Sequence, residues 1–259
     1  MIRVGTFSGE LPKLKARYLP ETAAQLAYNC RLDDGALTPT RMARLAAILP
    51  EPAVTIYRHN EQWLSWPVPV NVVPGPVAQD RLYITGDGAP KIRAGGQTYD
   101  LALRAPSTAP LITTDGTIDP DLFETVIYAY TFVTDLGEES EPSPLSALVD
   151  WSIGMTNVLT GFDPDPPPRV TRMRIYRSQT GQSGATNLYF IKERAYTTAE
   201  FIDNWGSNPM VEPIPTISYN PPPEGLQGLI ALPNGMMAGF VGKRVYFSEP
   251  YIPHAWPEK

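Results

Sequence analysis

Apolar residues come in short runs along this chain. Most of the runs alternate with polar residues at a period of two, the spacing of a strand that buries one face. Residues 125–134 are the longest. In that run Val126, Tyr128, Tyr130 and Phe132 share one face, and Thr125, Ile127, Ala129, Thr131 and Val133 make a lighter opposite face. Residues 172–177 alternate long cations with apolar groups. Arg172 and Arg174 lie opposite Met173 and Ile175, and Tyr176 is assigned to the apolar side. Residues 188–191 and 200–203 complete a set of strands near the spacing of a β-sandwich. Upstream, residues 54–58 and 62–66 read as a hairpin turning at His59-Asn60-Glu61, and 81–85 as a strand ended by Gly86-Asp87-Gly88. Downstream, residues 236–241, a Gly242-Lys243 turn and residues 244–248 read as a second hairpin.

The exception to this pattern is near the start. Pro20 and Glu21 followed by Thr-Ala-Ala-Gln-Leu-Ala-Tyr-Asn suit a first helical turn and its continuation, predicting a short helix over 20–29. A tight turn is expected at Asp34-Gly35, and a further helical turn over 41–49, stopped by Pro50. Arg81-Leu-Tyr-Ile-Thr85 and Arg244-Val-Tyr-Phe-Ser248 echo one another. That echo suggests one domain interrupted by another: residues 1–103 and 224–259 as a discontinuous, propeller-like β domain with a short N-terminal helix, and 104–223 as an inserted sandwich. The fold class expected is mainly β. A closed propeller needs more strands than the flanking segments hold, so open edges that pair with neighbouring subunits are expected.

Composition sharpens the picture. With 29 Pro and 20 Gly spread between the apolar runs, long helices are disfavoured and ordered turns favoured. A net charge of −6 with no long Lys/Arg cluster argues against a sequence-independent nucleic-acid binder, and suits a wall that DNA passes without adhering. The single Cys30 excludes an intrachain disulfide and reads as a small buried residue. No stretch is long and apolar enough to span a membrane as a helix, and the first residues lack a signal-peptide run, so synthesis in a cytosol is expected.

Catalytic signatures do not emerge. The chain has no G-x-S-x-G elbow, P-loop, H-E-x-x-H or G-x-G-x-x-G, and only two histidines, His59 and His254. Asp135, Glu138, Glu139 and Glu141 lack calcium-loop spacing and read as a solvated turn; Asp163 and Asp165 read as an exposed loop. Arg172 and Arg174 are read as a solvent-facing row, with ion pairing between subunits as the sharper alternative. Trp63, Trp66, Trp151, Trp205 and Trp256 are dispersed and read as core or interface anchors. No cofactor, metal site or enzymatic activity is expected.

Several stretches together are similar to those of a known family. They are Tyr128-Ala-Tyr-Thr-Phe-Val-Thr-Asp-Leu-Gly-Glu-Glu-Ser140 with Pro142-Ser143-Pro144; Arg172-Met-Arg-Ile-Tyr-Arg-Ser178 with Thr180-Gly181 and Leu188-Tyr-Phe-Ile191; Leu232-Pro-Asn-Gly235; and Phe247-Ser-Glu-Pro-Tyr-Ile-Pro-His-Ala-Trp-Pro257. They resemble bacteriophage tail proteins of the nozzle or tail-tubular kind found in short-tailed phages, and residues 7–41 look alike too. The resemblance implies a propeller-like body with a fibronectin type III-like or immunoglobulin-like insert. It also implies a homo-oligomeric ring, commonly a hexamer, around the DNA channel, location in the virion, and contacts with other tail or head-to-tail connector proteins. Genome DNA would pass without sequence-specific binding, and nothing would insert into a membrane. Related chains continue past the Ala-Trp-Pro motif, so a short variant or a partial chain is expected. Candidate interface residues are Arg172, Arg174, Phe247, Glu249, Tyr251, His254 and Trp256. The alternatives are a glycan-binding fibre or adhesin module and, further off, a polysaccharide depolymerase using Glu138 or Glu139.

Overall fold

The computed structural model describes residues 5–31, 35–180, 186–204 and 212–258; Asp34 of the expected turn, Gly181 and Trp205 lie outside them. The chain divides into two compact units, Met1–Leu49 and Pro50–Lys259.

In the first unit, β1 (Gly9–Glu10) pairs in parallel with β2 (Ala23–Ala24), and β3 (Cys30–Arg31) pairs antiparallel with β4 (Thr38–Pro39). The helix expected over 20–29 is not formed; β2 lies in that stretch, and the one helical element among the unit's described residues is a 3₁₀ turn at Ala16–Tyr18. A helix of that length is marginal unless a tertiary partner covers an apolar face, and Leu26 and Tyr28 are exposed. The backbone is claimed instead by extended pairing: Ser8 N–H donates to Thr22 O, Leu11 N–H to Ala24 O, and Ala27 N–H to the Glu10 carboxylate. Residues 41–49 carry no regular structure, and Cys30 is half-buried rather than interior.

The second unit is mainly β, built among the described residues from several small sheets, none closed into a barrel. β5 (Thr55–His59) and β6 (Gln62–Trp66) form the expected hairpin, with Asn60 and Glu61 both in the left-handed region, as a two-residue turn of matching twist requires. β7 (Asn71–Pro74), β8 (Leu82–Thr85), β9 (Lys91–Ala94) and β10 (Gln97–Asp100) make a four-stranded antiparallel meander. Next come β11 (Leu111–Asp115), β12 (Glu124–Val126), β13 (Tyr128–Thr134), β14 (Val149–Trp151), β15 (Thr156–Thr160), β16 (Val170–Thr180), β17 (Thr186–Ala195) and β18 (Phe201–Asp203). They form the sheets β11-β15-β18 and β13-β16-β17 and the pair β12-β14. The run expected as one strand over 125–134 is therefore broken at Ile127, because its two parts pair with different partners. Last are β19 (Gln227–Ala231), β20 (Met237–Val241) and β21 (Arg244–Phe247), in that order in one antiparallel sheet.

Two main clusters of buried residues hold this unit together. One joins Val126, Tyr128, Tyr130 and Phe132 to Trp151, Leu159, Met173, Ile175 and Ile191. The other joins Tyr83, Ile92 and Leu101 from the first meander to Leu226, Leu229, Met237 and Trp256 from the far end of the chain. The "lighter" face of β13 is buried as well. Ala129 packs with Tyr176, Leu188 and Ile214 in a third cluster. The alternation seen in the sequence therefore separates two interiors rather than core from water.

The edge of β13 is closed by serines. Ser140, Ser143 and Ser146 each donate a backbone N–H to the carbonyl of Phe132, Tyr130 and Tyr128 in turn. Each Oγ then accepts the N–H of that same residue, at 3.0, 3.2 and 2.9 Å. Ser178 does the same for Ile127, and Ser248 for Met237. One serine thus satisfies both backbone groups of a residue that has no strand partner on that side, its Oγ taking the N–H and its own N–H the carbonyl, without which each would be left unpaired. Residues 212–214 close the outer edge of β17.

Candidate functional site

Residues from β13, β16 and the segment after β21 converge on Glu139. After β13 the chain turns at Gly137, whose φ of +80° favours glycine, and comes back antiparallel to β13, bridging Val133 to Glu139. This places the Glu139 carboxylate over Thr131 of β13 and Arg174 and Tyr176 of β16. Tyr176 Oη–H donates to Glu139 Oε1 at 2.5 Å, Thr131 Oγ1–H to the same oxygen at 2.7 Å, and Arg174 Nη1–H to Oε2 at 2.8 Å. Arg174 Nε and Arg172 Nη1 both donate to Glu193 on β17, at 2.8 and 2.5 Å.

The titration of these groups follows from the contacts. Burial acts to lower the Arg174 pKa, but the hydrogen bond to Glu193 and the charge of Glu139 outweigh it and raise the value. The Arg174 hydrogen bond in turn holds Glu193 below the usual carboxylate range. Burial and then the Glu139 charge push the Tyr176 hydroxyl far up, so it stays a donor.

Beside this network Arg169 holds a left-handed backbone (φ +75°), and its guanidinium lies 4.8 Å from the Tyr99 ring centroid on β10. It donates to Glu138 Oε2 at 3.1 Å and to Asp135 Oδ1 at 3.0 Å. His254, in the segment after β21, places Nε2 3.0 Å from Glu139 O. A carbonyl can only accept, so Nε2 carries the proton and Nδ1 presents a lone pair. Nδ1 and Glu138 Oε1 are both buried without a partner among the described residues. Burial lowers the His254 pKa, against the raising effect of Glu138. A cleft of about 350 Å³ borders Glu138, Glu139, Arg174, Tyr219 and His254, and a second, of about 720 Å³, borders Tyr99, Arg104, Glu138, Asp165 and Arg169.

These placements correct several expectations. Glu138 and Glu139 are buried ion-pair partners, not members of a solvated turn. Arg172 and Arg174 are not a free cationic row, because both spend their charge on Glu193 within the chain. Tyr176 shares the Arg174 side of β16, while Arg177 points with the core residues to Asp203 at 2.7 Å. Asp163 is interior: Oδ2 accepts from Ser107 N–H and Oγ–H at 2.7 Å each and from Arg104 at 3.0 Å, and Oδ1 accepts from Asp165 N–H at 3.0 Å. Burial works against ionisation of Asp163, but the hydrogen bonds from Ser107, Asp165 and Arg104 outweigh it and hold its pKa far below the carboxylate range. Of the candidate interface residues, Trp256 is a core residue and His254 is interior, so neither offers a contact surface. Glu249 is half-buried, and Phe247 and Tyr251 are exposed. The serine closures went unread in the sequence, although the three-residue spacing of Ser140, Ser143 and Ser146 was a signal for them.

Among the described residues no three His, Cys, Asp or Glu side chains are grouped to hold a metal. No family model matches the sequence, and no curated protein matches it.

Proposed function

We propose that the chain is a structural component of a bacteriophage tail, a nozzle, hub or ring element around the DNA channel, acting through assembly with copies of itself and with other tail proteins. In this reading residues 104–223 are a fibronectin type III-like insert. Residues 71–101 and 226–256, which share one core, are parts of a propeller-like body. The protein resides in the virion, and genome DNA passes it without sequence-specific binding, which its net negative charge favours.

The observation that carries the reading is the convergence on Glu139. Three of the segments that resemble tail proteins, 128–140, 172–178 and 247–257, lie apart in the chain yet each contributes to one network around Glu139. Its carboxylates and cations are spent on one another, an arrangement suited to rigidity rather than to turnover. Exposed apolar residues on outer strands, Leu111 on β11, Ile202 on β18 and Phe247 on β21, add surfaces suited to assembly. Mass spectrometry and electron microscopy of purified virions test the proposal: the protein is expected at stoichiometric level in the tail, and its absence from intact particles refutes it.

A further inference from the structure

We propose that β21 is a self-complementary edge through which two copies of this chain pair, antiparallel about a two-fold axis at Tyr246. The β20–β21 register sets Val241 against Arg244, Phe240 against Val245, Gly239 against Tyr246 and Ala238 against Phe247. The Ser248 N–H continues the ladder to Met237 O. In an antiparallel pair, bonded and non-bonded positions alternate. Residues 244, 246 and 248 therefore point their backbone groups at β20, and Val245 and Phe247 point theirs away. Among the described residues no strand pairs with that outer side.

Two comparisons within the molecule mark this edge as unfinished. The edges of β13 and β17 are closed by the serines and by residues 212–214. Strand β8, whose sequence Arg81–Thr85 matches Arg244–Ser248 in kind, has neighbours on both sides and four buried residues. In β21 the corresponding Val245 and Phe247 are 62% and 46% exposed. A cleft of about 650 Å³ is lined by Arg244, Val245, Phe247 and Glu249 together with Pro257 and Glu258.

Charge identifies the occupant. In a two-fold pairing centred on Tyr246, Val245 of each copy lies opposite Phe247 of the other in a bonded pair. Lys243, at one end, is brought toward Glu249 at the other. The two apolar pairs and two opposite-charge pairs are each favourable across strands. Moving the axis to Val245 sets Lys243 against Phe247, and moving it to Phe247 sets Val245 against Glu249. Only the Tyr246 register matches charge to charge. The strand is thus a complement to itself, as an isologous contact requires. This pairing does not rest on the tail reading, since it is a property of the chain in solution.

The test is sedimentation-equilibrium analytical ultracentrifugation of the full chain over a concentration series. A monomer–dimer equilibrium is expected. Val245→Pro removes an N–H that β20 does not use and is tolerated on an edge strand. It should give a monomer with an unchanged far-UV spectrum. Lys243→Glu and Glu249→Lys should each weaken dimerisation about tenfold through two like-charge pairs, and the double exchange K243E/E249K should restore it. If V245P fails to fold, hydrogen exchange on the unaltered chain decides: the Val245 and Phe247 amides should gain protection as concentration rises. A wild-type monomer at every concentration, a dimer indifferent to V245P, no rescue by the double exchange, or Val245 and Phe247 amides indifferent to concentration overturns the proposal.

Discussion

Asp163 ties residues 104–107 to the loop after β15 from the interior, and its removal has a computable consequence. In Asp163→Ala the N–H groups of Ser107 and Asp165 lose their acceptor. Ser107 and Asp165 are themselves exposed, so water reaches both donors and each lost bond costs about 1 kcal/mol. Arg104 is half exposed and keeps the carbonyls of Ala105 and Asp165 as acceptors, so its lost ion pair adds no more than about 1 kcal/mol. The sum is about 2–3 kcal/mol. With a urea m-value of about 2 kcal/mol/M, the midpoint should fall by about 1 M. Asp163→Asn retains one carbonyl acceptor and should lose about half as much.

The acid response of this residue distinguishes charge from packing. The folded-state pKa of Asp163 lies below its unfolded value near 3.8, so its contribution is complete above that pH and is lost as pH falls toward the folded pKa. Between pH 5 and pH 2 the wild-type midpoint should drop more steeply than that of D163N. The assay is urea unfolding followed by tryptophan fluorescence, for which Trp151 in the core is a probe. Superimposable D163A and wild-type curves at neutral pH, or equal acid slopes for D163N and wild type, would refute the reasoning.

Two further outcomes are expected. Ser143→Ala leaves the buried Tyr130 N–H without its Oγ acceptor and should cost about 1–2 kcal/mol; amide exchange should accelerate at Tyr130 more than at Phe132, and equal rates in variant and wild type would contradict the closure described for β13. His254 has a folded pKa below its unfolded value near 6.5. The unfolded chain therefore binds the extra proton first, and stability should fall as pH drops below that value and level off below the folded pKa. His254→Gln keeps a donor for Glu139 O and should lack that slope; a wild-type profile flat from pH 7 to pH 5 would remove the buried neutral imidazole.

Local pattern made much of the fold legible. The 55–66 hairpin, β8, β13, β16 and the β20–β21 hairpin follow from alternation and turn chemistry, which act over a few residues. The helix over 20–29 failed because propensity alone cannot hold so short a segment. Arg172, Arg174 and His254 stood out in the sequence as candidate contact residues, but their partners within the chain were not legible there. Glu193 is brought to the arginines by strand pairing, and Glu139 O to His254 by folding of the terminal segment.

Residue types and their spacing by themselves determined a mainly β chain of short strands, many with one face more apolar than the other. Tertiary structure alone decided that β13 has two interiors, that Asp163, Glu138 and Glu139 are buried, and that Trp256 packs with Tyr83. The physical reason is that a strand's period reports only that its two faces differ. Which face meets water, and which charge meets its counter-charge, depends on partners distant in the chain, and those are set only when the sheets stack.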